Sequence, residues 1–143
     1  MTPRKRVLIL CTGNSCRSQM AEGLINHLLG ARWLAYSAGT EPSGYVHPLA
    51  IQVMDEIGID IADNESKHVD ACRQTEFDTV ITVCDDAAET CPVWLGRGRV
   101  KHIGFPDPAK AVGTRAEKLK TFRQVRDDIR QDVLEYLMRQ DGG

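Results

Sequence analysis

The sequence predicts an α/β fold: a single domain over residues 1–143, with a four-stranded parallel sheet and helices on both faces. Two observations carry this. Short β-rich runs alternate with segments of helical periodicity, and the first run, residues 6–11, is apolar after Arg6, as a strand buried on both faces requires. No linker, internal repeat or low-complexity tract divides the chain. By analogy with other small doubly wound sheets, the expected strand order is 2-1-3-4.

The elements follow in turn. After the strand at 6–11, residues 18–29 place Met20, Leu24, Ile25 and Leu28 at helical spacing, with Gly30 as a stop. A second strand is expected over 33–37. A loop with Pro42, Gly44 and Pro48 then leads to a helix over 49–57, stopped by Gly58. Residues 60–65 read as a loop and 68–74 as a short helix. The Phe, Val, Ile and Thr content of 77–84 predicts the third strand. A fourth is expected over 99–105, closed by Pro106 and Pro108. Residues 115–138 carry an apolar stripe from Leu119 to Leu137, an amphipathic helix docked on the sheet.

Composition excludes several classes. Eighteen Lys and Arg against twenty Asp and Glu leave a net charge of −2, which argues against a nucleic-acid binder. The longest apolar run, 7–11, is far short of the roughly 20 residues of a membrane span. Arg4, Lys5 and Arg6 imitate a signal-peptide start, but the run stops at Thr12-Gly13-Asn14. A cytoplasmic location with no membrane partner is expected, and with no apolar heptad, a monomer. The five cysteines, 11, 16, 72, 84 and 91, are an odd set in a reducing compartment, so chemistry rather than a disulfide framework is in question. The C-x6-C pair is too wide for a zinc pair, and no metal is expected from spacing. Cys72 fits an ordinary buried residue.

The predicted topology puts a ligand crevice at the carboxyl ends of strands 1 and 3. Cys11 ends the first and Cys84 the third, so both fall at that crevice. Residues 11–18, Cys-Thr-Gly-Asn-Ser-Cys-Arg-Ser, join strand to helix. Such a junction aims backbone N–H groups and the helix dipole at one point, an anion site. Thr12, Gly13, Asn14, Ser15, Cys16, Arg17 and Ser18 are therefore the candidate oxyanion-binding residues. Cys11 is the candidate nucleophile beneath the anion, Arg17 can fork two hydrogen bonds to it, and Ser18 can donate to the sulfur.

Residues 11–22, CTGNSCRSQMAE, resemble the signature of the low-molecular-weight protein tyrosine phosphatase fold, and within it the thioredoxin-coupled arsenate reductases. The resemblance extends to Tyr36-Ser37-Ala38-Gly39-Thr40, to the stretch from Val83-Cys84-Asp85 to Cys91-Pro92, and to Phe105-Pro106-Asp107-Pro108. It implies a phosphatase-like sheet, Asp107 as general acid, and an arsenate reductase for arsenic detoxification. Reduction needs two electrons and hence further thiols. The resemblance implies that Cys84 and Cys91 supply them, through a Cys11–Cys84 and then a Cys84–Cys91 disulfide, with thioredoxin as the external reductant and no bound cofactor. On a regular helix the C-x6-C pair would be about 10.5 Å apart, beyond disulfide reach, so the segment must unwind to close it. Residues 85–90 hold no apolar side chain larger than Ala, which makes unwinding cheap. Cys16 reads as a loop-packing residue or an off-pathway oxidation partner for Cys11.

Phosphatase relatives carry aromatic walls beside the acid, where this chain has Ala109 and Lys110, which favours a small inorganic substrate. Some reductases of the group hold potassium beside the loop through residues matching Asn14, Glu22 and Ser37, with an Asp where this chain has Lys67. That departure implies an ammonium in the cation's place. Two alternatives stay open: a phosphatase using Cys11, Arg17 and Asp107, and an oxyanion-binding or redox-sensing module.

Overall fold

The computed structural model describes residues 3–85, 94, 96 and 98–141. The strands are β1 (Lys5–Cys11), β2 (Trp33–Gly39), β3 (Thr79–Thr82) and β4 (Arg99–His102), and the α-helices are α1 (Arg17–Leu28), α2 (Pro48–Asp55) and α3 (Arg115–Asp141). Short 3-10 helices cover Val69–Cys72 and Pro108–Lys110. All pairings are parallel and the order is β2-β1-β3-β4, as predicted.

Alternation along β1 divides the core. Val7, Ile9 and Cys11 face one side, where α1, α2 and α3 pack around Met20, Val53, Phe122 and Ile129. Leu8 and Leu10 face the other, under Val69 and Cys72 of the first 3-10 helix, Phe77 and Trp94. With both faces covered, Val7 to Leu10 are wholly buried, which is why that run lacks polar alternation.

Boundaries shift where local chemistry decides them. The helix expected over 49–57 begins at Pro48, whose missing N–H suits a first helical position, with His47 Nδ1 accepting from Leu49 N (3.1 Å) as cap. The short helix at 68–74 forms one 3-10 turn. β4 is a four-residue exposed edge strand rather than seven residues. Ile103 and Phe105 still donate to Thr82 and Val83 carbonyls, so the chain stays beside β3 until Pro106. Among the described residues no helix is long and apolar enough to cross a membrane.

Candidate active site

The loop between β1 and α1 is shaped from outside by its carbonyls. Thr12 O accepts from Glu41 N (3.0 Å), Gly13 O from Ser43 N (2.9 Å) and Ser66 Oγ (3.2 Å), and Ser15 O from His47 N (3.0 Å). Asn14 O accepts from Gln19 Nε2 (3.1 Å). In a trans peptide the next residue's N–H points the opposite way. The N–H groups of Gly13 to Cys16 therefore face the loop's interior, and Asn14 N is found donating to Cys11 Sγ (3.3 Å). Asn14 holds φ +47°, a left-handed conformation that Asn tolerates. Cys16, the N-cap of α1, makes no side-chain capping bond, which leaves the helix's positive end turned to the same space.

Hydrogen bonds fix the direction of a chain that ends on the sulfur. The Lys67 backbone N–H can only donate, and it reaches Asn14 Oδ1 (2.7 Å). That assignment turns Asn14 Nδ2 toward Ser18 Oγ (2.8 Å). Ser18 Oγ accepts there, so its own proton is directed at Cys11 Sγ (3.0 Å).

Opposite the loop, Arg17 donates through one terminal nitrogen to Phe105 O (3.1 Å) and sets the other 3.8 Å from Asp107 Oδ2. Asp107 Oδ1 caps the 3-10 helix by accepting from Ala109 N (3.0 Å), which leaves Oδ2 facing the guanidinium. Cys11, Gly13, Asn14, Ser15, Cys16, Arg17 and Asp107 line a cavity of about 30 Å³. It suits one small oxyanion seated over a sulfur. Of the predicted binding residues, Thr12 and Ser18 lie outside that lining: Thr12 braces residue 41 through its carbonyl, and Ser18 serves the sulfur.

Burial pushes the Cys16 thiol up to about 12, against a smaller opposing pull from Ser15, so Cys16 stays protonated near neutrality. Burial also raises Cys72, which packs under the sheet as expected. Cys84 lies two residues past β3, fully buried, at the sheet end where Cys11 ends β1. It is disulfide-bonded, whereas Cys11 is a free thiol, so the two are not joined to each other. Cys91 and residues 86–90, where the redox segment was predicted, lie outside the described residues.

The matching family model, low molecular weight phosphotyrosine protein phosphatase, covers residues 6–141. The chain belongs to this family. It is similar to an arsenate reductase of Shouchella clausii, 48% identical over 128 residues that span 88% of this chain and 90% of that protein. Among solved structures it is similar to an arsenate reductase in oxidized state, with 31% identity, a TM-score of 0.78, and 94% of this chain and 98% of that one covered. A thioredoxin-dependent arsenate reductase of Corynebacterium glutamicum matches at 25% identity and TM-score 0.65, over 96% of this chain and 64% of that one. The resemblance read from residues 11–22 thus holds along the chain.

Several contributors carry no sequence signal of their own. Gln19, fully buried, links Asn14 to Glu65 O (2.8 Å). Gly39 lies so close to the loop that an added Cβ would stand 2.3 Å from Thr12 O. Tyr45, 55% exposed, sits between Ser43 and His47, both of which hold loop carbonyls.

Proposed function

We propose that the protein reduces arsenate to arsenite through a three-cysteine relay regenerated by thioredoxin. The observation that carries this reading is the state of the thiols. Cys84, at the sheet end where Cys11 opens the loop, is oxidised while Cys11 is free, and hydrolysis of a phosphate ester has no use for such a pair. The relatives named arsenate reductase, one of them thioredoxin-dependent, support it.

In the first step the Cys11 thiolate attacks arsenic, held by the loop N–H groups and Arg17. An arsenate oxygen leaves as water with a proton from Asp107, giving a Cys11–arsenic(V) adduct. The Cys84 thiolate then attacks Cys11 Sγ. A sulfur–sulfur bond forms, the sulfur–arsenic bond breaks, and its electron pair stays on arsenic, which departs as arsenite. Cys91 next attacks Cys84, forming the Cys84–Cys91 disulfide and freeing Cys11, and a dithiol thioredoxin reduces that disulfide.

The test follows arsenite in single-turnover and thioredoxin-coupled assays. Cys84→Ser should release no arsenite yet keep any hydrolysis of p-nitrophenyl phosphate. Cys91→Ser should release about one arsenite per protein and stall with Cys11 bonded to Cys84. Full multiple turnover in both variants would remove the relay. It would favour the phosphatase reading.

A further inference from the structure

Behind the oxyanion loop, on the far side of Asn14, lies a second polar cluster. Glu22 of α1 lies there largely out of solvent, its side chain 13% exposed, with Oε2 accepting from Asn64 Nδ2 (3.1 Å). Lys67 Nζ approaches Glu22 Oε1 at 4.0 Å and donates to Glu65 O (3.3 Å). Ser37 Oγ, wholly buried, has no partner of hydrogen-bond geometry among the described residues, although it is near enough to help lower a Glu22 carboxyl that burial raises.

The resembling reductases imply potassium here, held by residues matching Asn14, Glu22 and Ser37. The residues of this chain do not fit that ion. Where an acidic ligand would complete the set stands Lys67, whose ammonium already faces the cluster's carboxylate and one of its backbone carbonyls. Asn14 Oδ1, the one side-chain oxygen this residue could offer a cation, already accepts from Lys67 N and Gln19 Nε2. A potassium ion would meet a like charge at short range in a poorly screened place.

We propose that Lys67 is a built-in counter-cation, tethered by its own side chain, which holds the 64–67 segment on Glu22 and so keeps Asn14 oriented toward Ser18 and Cys11. Lys67 is a positioning residue: it touches neither the cavity nor the sulfur, and acts through its backbone N–H on Asn14 Oδ1. The order of the loop is then independent of monovalent cations. This inference concerns oxyanion binding in general and does not require the reductase reading.

The experiment uses the full chain in reductant, with KCl or choline chloride at equal ionic strength. It reads the melting temperature and the affinity for inorganic phosphate by calorimetry. The wild type should melt within about 1 °C and bind phosphate equally in the two salts. Lys67→Asp should lose phosphate affinity at least tenfold in choline chloride and recover it in KCl, with a melting temperature that climbs with potassium, as mass action requires of an ion bound only by the folded state. Lys67→Arg should behave as wild type, and Lys67→Met should weaken phosphate in both salts. A wild-type protein stabilised by potassium over choline would overturn the proposal. So would a Lys67→Met variant that melts and binds phosphate like the wild type in choline chloride, a comparison that stands even if Lys67→Asp does not fold. Loss of arsenate turnover with these results intact would count against the reductase reading alone.

Discussion

Substituting Gly39 with alanine tests whether the end of β2 shapes the oxyanion loop. The new Cβ would lie 2.3 Å from Thr12 O, 3.0 Å from Thr12 C and 3.1 Å from Asn14 N, all backbone atoms of the loop. Ordinary carbon–oxygen contact requires about 1 Å more, and no side-chain rotation can provide it. Overpacking of this kind costs about 1–3 kcal/mol. With an unfolding entropy of about 2.1 cal/mol/K per residue, the melting temperature should fall by about 3–10 °C. The displaced groups matter chemically, since Thr12 O anchors Glu41 N and Asn14 N donates to Cys11 Sγ. A shift near 1 Å in such a cradle lowers turnover about 10²-fold. Circular-dichroism melts and arsenate turnover read both effects. Gly13→Ala is the control, because its Cβ would meet nothing nearer than Ser15 Oγ at 3.7 Å, and its melting temperature should stay within about 1 °C. A Gly39→Ala protein with wild-type melting and turnover would refute the reasoning.

Two further outcomes are expected. Asp107→Asn should slow single-turnover arsenite release by about 10²–10⁴-fold, the span of general-acid catalysis, while stability holds because Asn can still cap Ala109 N; an unchanged rate would leave residue 107 as a turn former. Cys16→Ala should leave turnover between pH 6 and 9 within about threefold of wild type. Because burial lifts the folded thiol from 9.0 to about 12, the native state keeps a proton that the unfolded chain loses, so this group's contribution to stability is present below pH 9 and lost as pH rises toward 12. Melts at pH 8 and pH 11 should show the alkaline loss shrinking in the variant.

The buried first strand and the loop are legible because their signals are local, whereas the strand order rests on analogy with other small doubly wound sheets. An apolar run, a Gly-containing turn and an Arg six residues beyond Cys11 sit in one window, and β1 is flanked on both sides as that run implied. Strand extents were less legible. Residues 77–84 and 99–105 are β-rich, yet the ladder holds only Thr79–Thr82 and Arg99–His102, because extent depends on the partner strand. The bracing of the site was the least legible. Ser43, His47, Ser66 and Gly39 meet residues 12–15 across more than twenty positions of sequence, where no spacing rule operates.

The hydrogen bonds on Cys11 have a consequence for the direction of the proposed relay. Asn14 N and Ser18 Oγ both offer protons to this sulfur. A sulfur so surrounded is a good leaving group as well as a held nucleophile. When Cys91 attacks the mixed disulfide, the bond cleaves toward whichever thiolate departs more readily, and the donors on Cys11 accommodate the departing charge. The loop that grips the oxyanion would thus also drive the oxidising equivalents outward, away from itself, and return an empty, reduced Cys11 for the next arsenate.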